Sequence, residues 1–91
     1  MAHANVILVN RLGLHARAAA KIVKLAGNFE SSISLTRTSK ERRADARSIL
    51  GILELGAKEG TELMIEANGN DDEAAIAAIS ELIKRGFDEL Y

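Results

Sequence analysis

Segments with two different hydrophobic periods follow one another along this chain, and their order restricts the fold that it can adopt. In Ser31–Arg37 the apolar residues Ile33 and Leu35 alternate with hydroxyl side chains, and Glu62–Ala67 alternates in a similar way. A period of two residues predicts a strand with one buried face. In Ala16–Ala26 the apolar residues recur instead at the spacing i, i+3, i+4, i+7, which predicts an amphipathic helix.

The predicted elements alternate between strands and helices. The predicted strands are Ala4–Asn10, Ser31–Arg37, Arg42–Ala46 and Glu62–Ala67. The predicted helices are Ala16–Ala26, Ser48–Leu55 and a last helix that is capped by Asn68–Asp71 and ends at Gly86. Periodicity alone leaves the second helix open to a strand interpretation, but a Ser before its apolar run and a Gly after it favour a short helix. The order β-α-β-β-α-β-α predicts an α+β fold, with one sheet and helices on one face.

The expected core is aliphatic, since the chain has 15 Ala, 11 Leu, 9 Ile and 3 Val against two Phe and one Tyr. A chain of 91 residues has room for one core, so we expect a single domain over residues 1–91. The side chains expected to face this core are Val6, Leu8, Ala19, Ile22, Val23, Ala26, Ile33, Leu35, Leu63, Ile65, Ala67, Ala75, Ile76, Ile79, Leu82 and Ile83. Alternation then leaves Ile7, Val9 and Met64 on the open face of the sheet. An apolar patch on an open face is a candidate for self-association, so we expect a monomer or a weak dimer.

Charge and composition exclude several classes of function. A net charge of −1 does not suit binding to duplex nucleic acid, which usually needs a basic excess. The absence of cysteine rules out disulfides, thiolate zinc sites and thiol nucleophiles. No apolar run approaches a membrane span and no signal peptide opens the chain, so we expect a cytoplasmic protein without membrane insertion. We expect no cofactor and no metal, because there are only two histidines and one of them, His3, falls in a terminus that we expect to be mobile.

One short segment combines residues suited to phosphoryl chemistry. Gly13-Leu14-His15-Ala16-Arg17 places an imidazole where a loop ends and a helix begins. The first N–H groups of a helix lack partners, and together with the helix dipole they stabilise an anion. Arg17 adds a forked donor that matches phosphate oxygens. A histidine with an ordinary pKa of about 6.5 is largely neutral in the cytoplasm and is then a nucleophile. The alternative is that His15 only caps the helix.

A basic stripe follows the same helix. Arg17, Lys21 and Lys24 recur at i, i+4 and i+7 on a face different from the apolar one. Such a stripe is either an ordinary solvated face or a surface that binds a partner, and the sequence alone does not decide between them. A second basic cluster consists of Arg37, Lys40, Arg42, Arg43 and Arg47. It contains no aromatic residue to stack a base, so RNA binding is a minor alternative.

Three segments together resemble the HPr family, the histidine phosphocarriers of the phosphoenolpyruvate-dependent phosphotransferase system. They are Asn10–Ala26 (NRLGLHARAAAKIVKLA), Arg47–Leu53 (RSILGIL) and Leu55–Leu63 (LGAKEGTEL). The resemblance extends from about Val6 to Phe87. It implies an open-faced β-sandwich, in which three helices cover one side of a four-stranded antiparallel sheet, and this agrees with the predicted element order.

The resemblance also implies roles for individual residues. His15 falls on the phosphoryl-accepting histidine, and Arg17 on the arginine that steadies the phosphoryl group. Ser48 falls on the serine that an HPr serine kinase/phosphorylase modifies in some bacteria, and the neighbouring Arg47 is expected to pair with a phosphate there. The docking positions are Lys21, Lys24, Ile49, Leu50 and Leu53. The implied partners are enzyme I of the phosphotransferase system and an EIIA-type acceptor.

Two features favour the nitrogen-related branch of the family over the sugar-transport branch. The family usually has proline after His-x-Arg, whereas Ala18 follows here and gives the HARAA pattern. Because alanine is also a good helix former, we expect little effect on the fold. The ending Gly86-Phe87-Asp88-Glu89 resembles the same branch. The remaining alternative is a small partner- or ligand-binding module without phosphotransfer.

Overall fold

The structure is a computed structural model, and it describes residues 1–89. The strands are β1 (Ala2–Ile7), β2 (Ser32–Arg37), β3 (Arg42–Asp45) and β4 (Glu62–Asn68). The helices are α1 (Ala16–Ala26), α2 (Ile49–Glu54) and α3 (Asp72–Lys84). Short 3₁₀ turns cover Thr38–Lys40 and Gly86–Asp88. The predicted order of strands and helices is therefore confirmed.

The four strands form one antiparallel sheet in the order β1-β4-β2-β3. In the central pair Leu35 lies opposite Ile65, and on the edge Val6 lies opposite Leu63. These residues share the face that the helices cover, and all four are buried. Such a four-stranded sheet with its helices on one side is the expected open-faced sandwich.

The prediction for the first strand is wrong in its bounds. The sequence predicts Ala4–Asn10, but β1 starts at Ala2 and ends at Ile7. Pairing with β4 begins at the chain's first residues, where Ala2 lies opposite Ala67, and this pairing decides where the strand starts. His3 accordingly lies in β1 opposite Glu66 and not in a mobile terminus.

The predicted core is confirmed with one qualification. Every residue expected to face the core is buried except Val23, which is half-buried and packs against it. Phe87 is fully buried as well. On the other face Ile7 and Val9 are about half exposed, as the alternation predicts. Weak self-association through this face remains a prediction. No helix among residues 1–89 has the length and apolar character of a membrane span.

Asp71 does not cap α3 with its side chain, contrary to the expectation from the sequence. Its carboxylate instead accepts hydrogen bonds from the backbone N–H of Glu30 at 2.9 Å, and from the N–H and Oγ of Ser31 at 3.0 and 2.5 Å. These hydrogen bonds, led by that of the Ser31 hydroxyl, hold the pKa of Asp71 below its usual value. Asp71 thus ties the start of α3 to the loop before β2.

Candidate functional site

The loop between β1 and α1 is held in place by close backbone contacts. Gly13 has a φ of +65°, and a Cβ at this position would lie only 2.5 Å from the carbonyl oxygen of Ala57. The N–H of Leu14 donates to that same carbonyl at 3.0 Å. Glycine is therefore required here both for its conformation and for the close approach. The loop delivers His15 to the start of α1 in a defined position.

His15 is the N-cap residue of α1, and both of its ring nitrogens have partners. Nδ1 accepts a hydrogen bond from the backbone N–H of Arg17 at 3.3 Å. Nε2 lies 2.5 Å from Oε2 of Glu89. Because Nδ1 accepts and Nε2 faces a carboxylate, these partners assign the proton of the neutral ring to Nε2. The lone pair of Nδ1 is thus directed toward the N-terminus of the helix, and about a quarter of the side chain is exposed.

Glu89 is itself held from a second side. Its Oε1 accepts a hydrogen bond from Nδ2 of Asn10 at 3.0 Å, and the side chain is only 3% exposed. Burial works to raise the pKa of this carboxyl group. Hydrogen bonds from Asn10 and His15, with the positive charge of the nearby Lys21, outweigh it, so the pKa of Glu89 lies below its usual range. Glu89 is thus an ionised carboxylate that faces the imidazole.

Arg17 and Lys24 are free to meet a ligand or a partner, whereas Lys21 is not. Arg17 and Lys24 are exposed, and within residues 1–89 neither side chain makes a hydrogen bond or an ion pair. The ammonium group of Lys21 donates to the carbonyl oxygen of Phe87 at 2.5 Å. Lys21 therefore helps to hold the turn that precedes Glu89, in addition to any contact with a partner.

Ser48 caps α2, as the sequence predicts. Its Oγ accepts a hydrogen bond from the N–H of Gly51 at 3.0 Å. The guanidinium of the neighbouring Arg47 donates to three backbone carbonyls, those of Ala26 at 2.9 Å, Phe29 at 2.6 Å and Ser31 at 3.1 Å. These hydrogen bonds use three of its five N–H donors. Pairing of Arg47 with a phosphate on Ser48 therefore stays a prediction.

Helices α1 and α2 run in opposite directions, so Ser48 and His15 lie at different ends of the pair. Arg47, just before α2, binds the end of α1, whereas Ala57, after α2, binds Leu14 before the start of α1. Along α2, Ile49 and Leu50 are 42% and 74% exposed, while Leu53 is half-buried against the core. Two of the three apolar docking residues are therefore accessible.

Comparisons with known proteins agree on one family. The family described as "PTS HPr component phosphorylation site" matches residues 2–85. A phosphocarrier protein HPr from Cupriavidus necator is 43% identical over 82 residues, which cover 90% of each chain. A phosphocarrier protein NPr from Proteus mirabilis is 42% identical over 84 residues, which cover 92% of each chain. The chain belongs to the HPr family.

The fold is also similar to that of a solved HPr structure. The crystal structure of an HPr from Thermoanaerobacter tengcongensis has 36% sequence identity and a TM-score of 0.93, and the match covers 100% of both chains. The chain is nearly as similar to the NPr from Proteus mirabilis as to the HPr from Cupriavidus necator. The predicted family membership and its phosphocarrier function are confirmed.

Two residues of this HPr site are not evident from the sequence. Glu89 lies 74 positions from the histidine that it contacts, and Asn10 lies in what the sequence predicts as a strand. A carboxylate partner is absent from the sequence around His15, and only the tertiary fold supplies one.

Proposed function

We propose that this protein accepts a phosphoryl group on Nδ1 of His15 from enzyme I of the phosphotransferase system and passes it to an EIIA-type acceptor. One observation carries the proposal. His15 stands at the N-terminus of α1 with the lone pair of Nδ1 toward the helix, while Nε2 is held by a carboxylate. A nucleophilic nitrogen is thereby placed where a transferred phosphoryl group would be stabilised as an anion.

The start of α1 offers donors for that anion. The N–H of Ala19 is paired with the carbonyl oxygen of His15 at 2.9 Å, whereas the N–H groups of Ala16 and Ala18, like others of a first helical turn, have no intrahelical partner. The N–H of Arg17 points to Nδ1 of His15, where the phosphoryl group would be attached. Arg17 is free to add its guanidinium, which binds two phosphoryl oxygens at once. Alanine at position 18 keeps an N–H that proline would remove. These groups are the ones expected to hold the phosphoryl group.

The docking surface that we propose combines apolar and basic residues. Ile49 and Leu50 present exposed apolar side chains on α2, and Leu53 lies one turn further along it. Arg17 and Lys24 provide positive charge on the neighbouring helix. An apolar centre surrounded by charge suits a partner with an acidic, partly apolar surface, because the charges accelerate association and the apolar contacts retain the complex. Enzyme I and the EIIA-type acceptor are the partners that we assign to it.

The same proposal includes a location and a regulatory site. We propose a cytoplasmic location, because the assigned phosphotransferase partners use phosphoenolpyruvate, which is available there. Ser48 is half-buried as the cap of α2, and we propose it as the target of an HPr serine kinase/phosphorylase. The Gly86-Phe87-Asp88-Glu89 ending and Ala18 support assignment to the nitrogen-related, regulatory branch.

Labelling with phosphoenolpyruvate and enzyme I tests the proposed function. Mass spectrometry of the intact protein is expected to show one acid-labile phosphate. His15→Ala removes the acceptor, and His3→Ala is the matched control, since His3 is an exposed histidine on β1. The control is expected to acquire the label at the wild-type rate. Undiminished labelling of His15→Ala would refute the assignment, and absence of labelling in the wild type would favour a binding module without phosphotransfer.

A further inference from the structure

The turn that carries Glu89 has an unusual backbone. Gly86, Phe87 and Asp88 have φ values of +66°, +59° and +62°. Two of these three residues are not glycine, and residues with a Cβ adopt this left-handed region only when their surroundings impose it. The turn therefore needs contacts elsewhere in the protein to keep its shape.

Three contacts supply that support. The Phe87 side chain is fully buried in the core, and the Phe87 carbonyl accepts a hydrogen bond from Lys21 at 2.5 Å. Arg85 and Asp88 form an ion pair at 3.0 Å across the turn. The chain leaves this turn in an extended conformation, and Glu89 is the first residue after it. The strained turn thus points the Glu89 carboxylate back to the beginning of α1.

The carboxylate is fixed between two groups of the β1–α1 loop. Oε2 faces Nε2 of His15 at 2.5 Å, and Oε1 accepts from Asn10 at 3.0 Å. Asn10 is fully buried, and its Nδ2 also donates to the carbonyl oxygen of Gly13 at 2.9 Å. Asn10 therefore connects the position of the carboxylate to the backbone of the loop that carries the histidine.

We propose that Glu89 is a positioning residue for His15, which keeps the proton on Nε2 and the lone pair on Nδ1. This proposal rests on the proposed phosphocarrier function. An acceptor fixed at Nε2 selects one tautomer of the ring and fixes its rotation, as carboxylates do for histidines in metal sites and in nucleophilic triads. Nδ1 is then the only nitrogen with a lone pair available for a phosphoryl donor.

The transfer step shows what the carboxylate contributes. The lone pair of Nδ1 forms a bond to the phosphorus, while the bond from that phosphorus to the atom of the donor that carries it breaks and its electron pair returns to that atom. The proton on Nε2 remains between the ring and Glu89. The ring gains positive charge as the new bond forms, and the ionised carboxylate balances this charge. Transfer to the acceptor reverses each change.

A purely structural role for Glu89 gives different expectations. In that case the carboxylate would only fasten the C-terminal turn, and any variant that loosens the turn would have the same effect. Asp88→Asn supplies this control, because it removes the ion pair with Arg85 without touching the histidine. Asparagine also tolerates the left-handed conformation of this position.

The test combines ¹⁵N NMR of the imidazole with phosphoryl-transfer kinetics. Wild-type His15 is expected to show the Nε2–H tautomer, and Glu89→Ala a mixture of both tautomers with transfer from enzyme I slowed about tenfold, the effect of losing one charge-assisted hydrogen bond. Glu89→Gln keeps an acceptor oxygen but not the charge, so it is expected to retain the tautomer and to transfer at an intermediate rate. Asp88→Asn is expected to match the wild type in both measurements.

Each result decides the proposal. If Glu89→Ala retains the wild-type tautomer, or if it transfers at the wild-type rate, Glu89 does not position the histidine. An Asp88→Asn variant that reproduces the effects of Glu89→Ala would assign them to the turn instead. A wild-type protein that acquires no phosphate would refute the proposed function separately, and the tautomer measurement would still test the role of Glu89.

Discussion

Replacement of Arg47 by alanine is expected to destabilise the fold without changing the chemistry at His15. Its guanidinium joins three segments, because it donates to the last residue of α1, to the loop that follows and to the residue before β2. The carbonyl at the end of a helix lacks an intrahelical partner and carries partial negative charge. Alanine would leave all three carbonyls to water or unpaired.

The magnitude follows from the number and exposure of these hydrogen bonds. The bonds to Ala26 and Ser31 are part-buried, and that to Phe29 is exposed. A typical protein hydrogen bond contributes about 1 kcal/mol net, and an exposed one contributes less, so Arg47→Ala is expected to lower the free energy of unfolding by about 2 kcal/mol. For a domain of this size that loss lowers Tm by about 8–16 °C.

Thermal and urea unfolding followed by circular dichroism measure this effect, with Arg43→Ala as the matched control. Arg43 is an exposed residue of β3, and its side chain makes no hydrogen bond or ion pair in the described part of the chain. The control is expected to melt within about 2 °C of the wild type, in line with the small effect of most surface substitutions. Arg47→Lys retains the charge without the fork and is expected to recover about half of the loss.

Transfer kinetics at a temperature well below Tm complete this test. The helix between the two sites has 11 residues and spans about 16 Å at 1.5 Å per residue. Folded Arg47→Ala is therefore expected to accept a phosphoryl group on His15 at the wild-type rate. An Arg47→Ala protein that melts together with the Arg43→Ala control would show that the three hydrogen bonds contribute nothing net and would refute the reasoning.

Three further predictions concern regulation, docking and pH. Ser48→Asp keeps a capping oxygen and adds negative charge at the start of α2, so Tm is expected to stay equal or rise while phosphoryl transfer slows; equal transfer rates would leave the serine as a cap only. Lys24→Glu is expected to slow association with enzyme I in stopped-flow experiments about tenfold at low ionic strength and less at high, and a salt-independent effect would indicate an ordinary solvated residue. The pKa values of Asp71 and Glu89 are both depressed in the folded state. The stability that these two carboxylates contribute is therefore complete above their pKa values in the unfolded chain, and it is lost as the pH falls through their pKa values in the folded protein. Unfolding free energy measured by urea titration is expected to fall below about pH 4, and Asp71→Asn should flatten this fall.

Local sequence signals were sufficient for the helices but not for the first strand. Helix α1 begins and ends where the sequence predicts, at Ala16 and Ala26, because the segment is rich in strong helix formers and Gly27 follows it. The bounds of β1 depend on its partner, since β4 pairs with it from Ala2 onward. Apolar runs alone do not reveal such long-range pairing, and the strand was predicted too far along the chain for that reason.

In the candidate site, too, local sequence signals predict some features and not others. His15 and its place at a helix start are recognisable from five consecutive residues. Glu89 reaches the imidazole only because the chain reverses through three left-handed residues after α3, and no local pattern predicts such a conformation for Phe87. The guanidinium of Arg47 likewise binds carbonyls that are at least 16 positions earlier in the sequence. In both cases tertiary contacts decide which partner a charged side chain meets.

The position of the phosphoryl group on the imidazole tests the central claim most directly. Protein labelled with ¹⁵N is phosphorylated with phosphoenolpyruvate and enzyme I, and ³¹P–¹⁵N coupling in NMR spectra identifies the nitrogen that carries the phosphorus. Because Nδ1 faces the helix N-terminus and Nε2 faces Glu89, coupling is expected to Nδ1 of His15. A phosphorus coupled to Nε2 of His15, or attached to any other residue, would contradict the account.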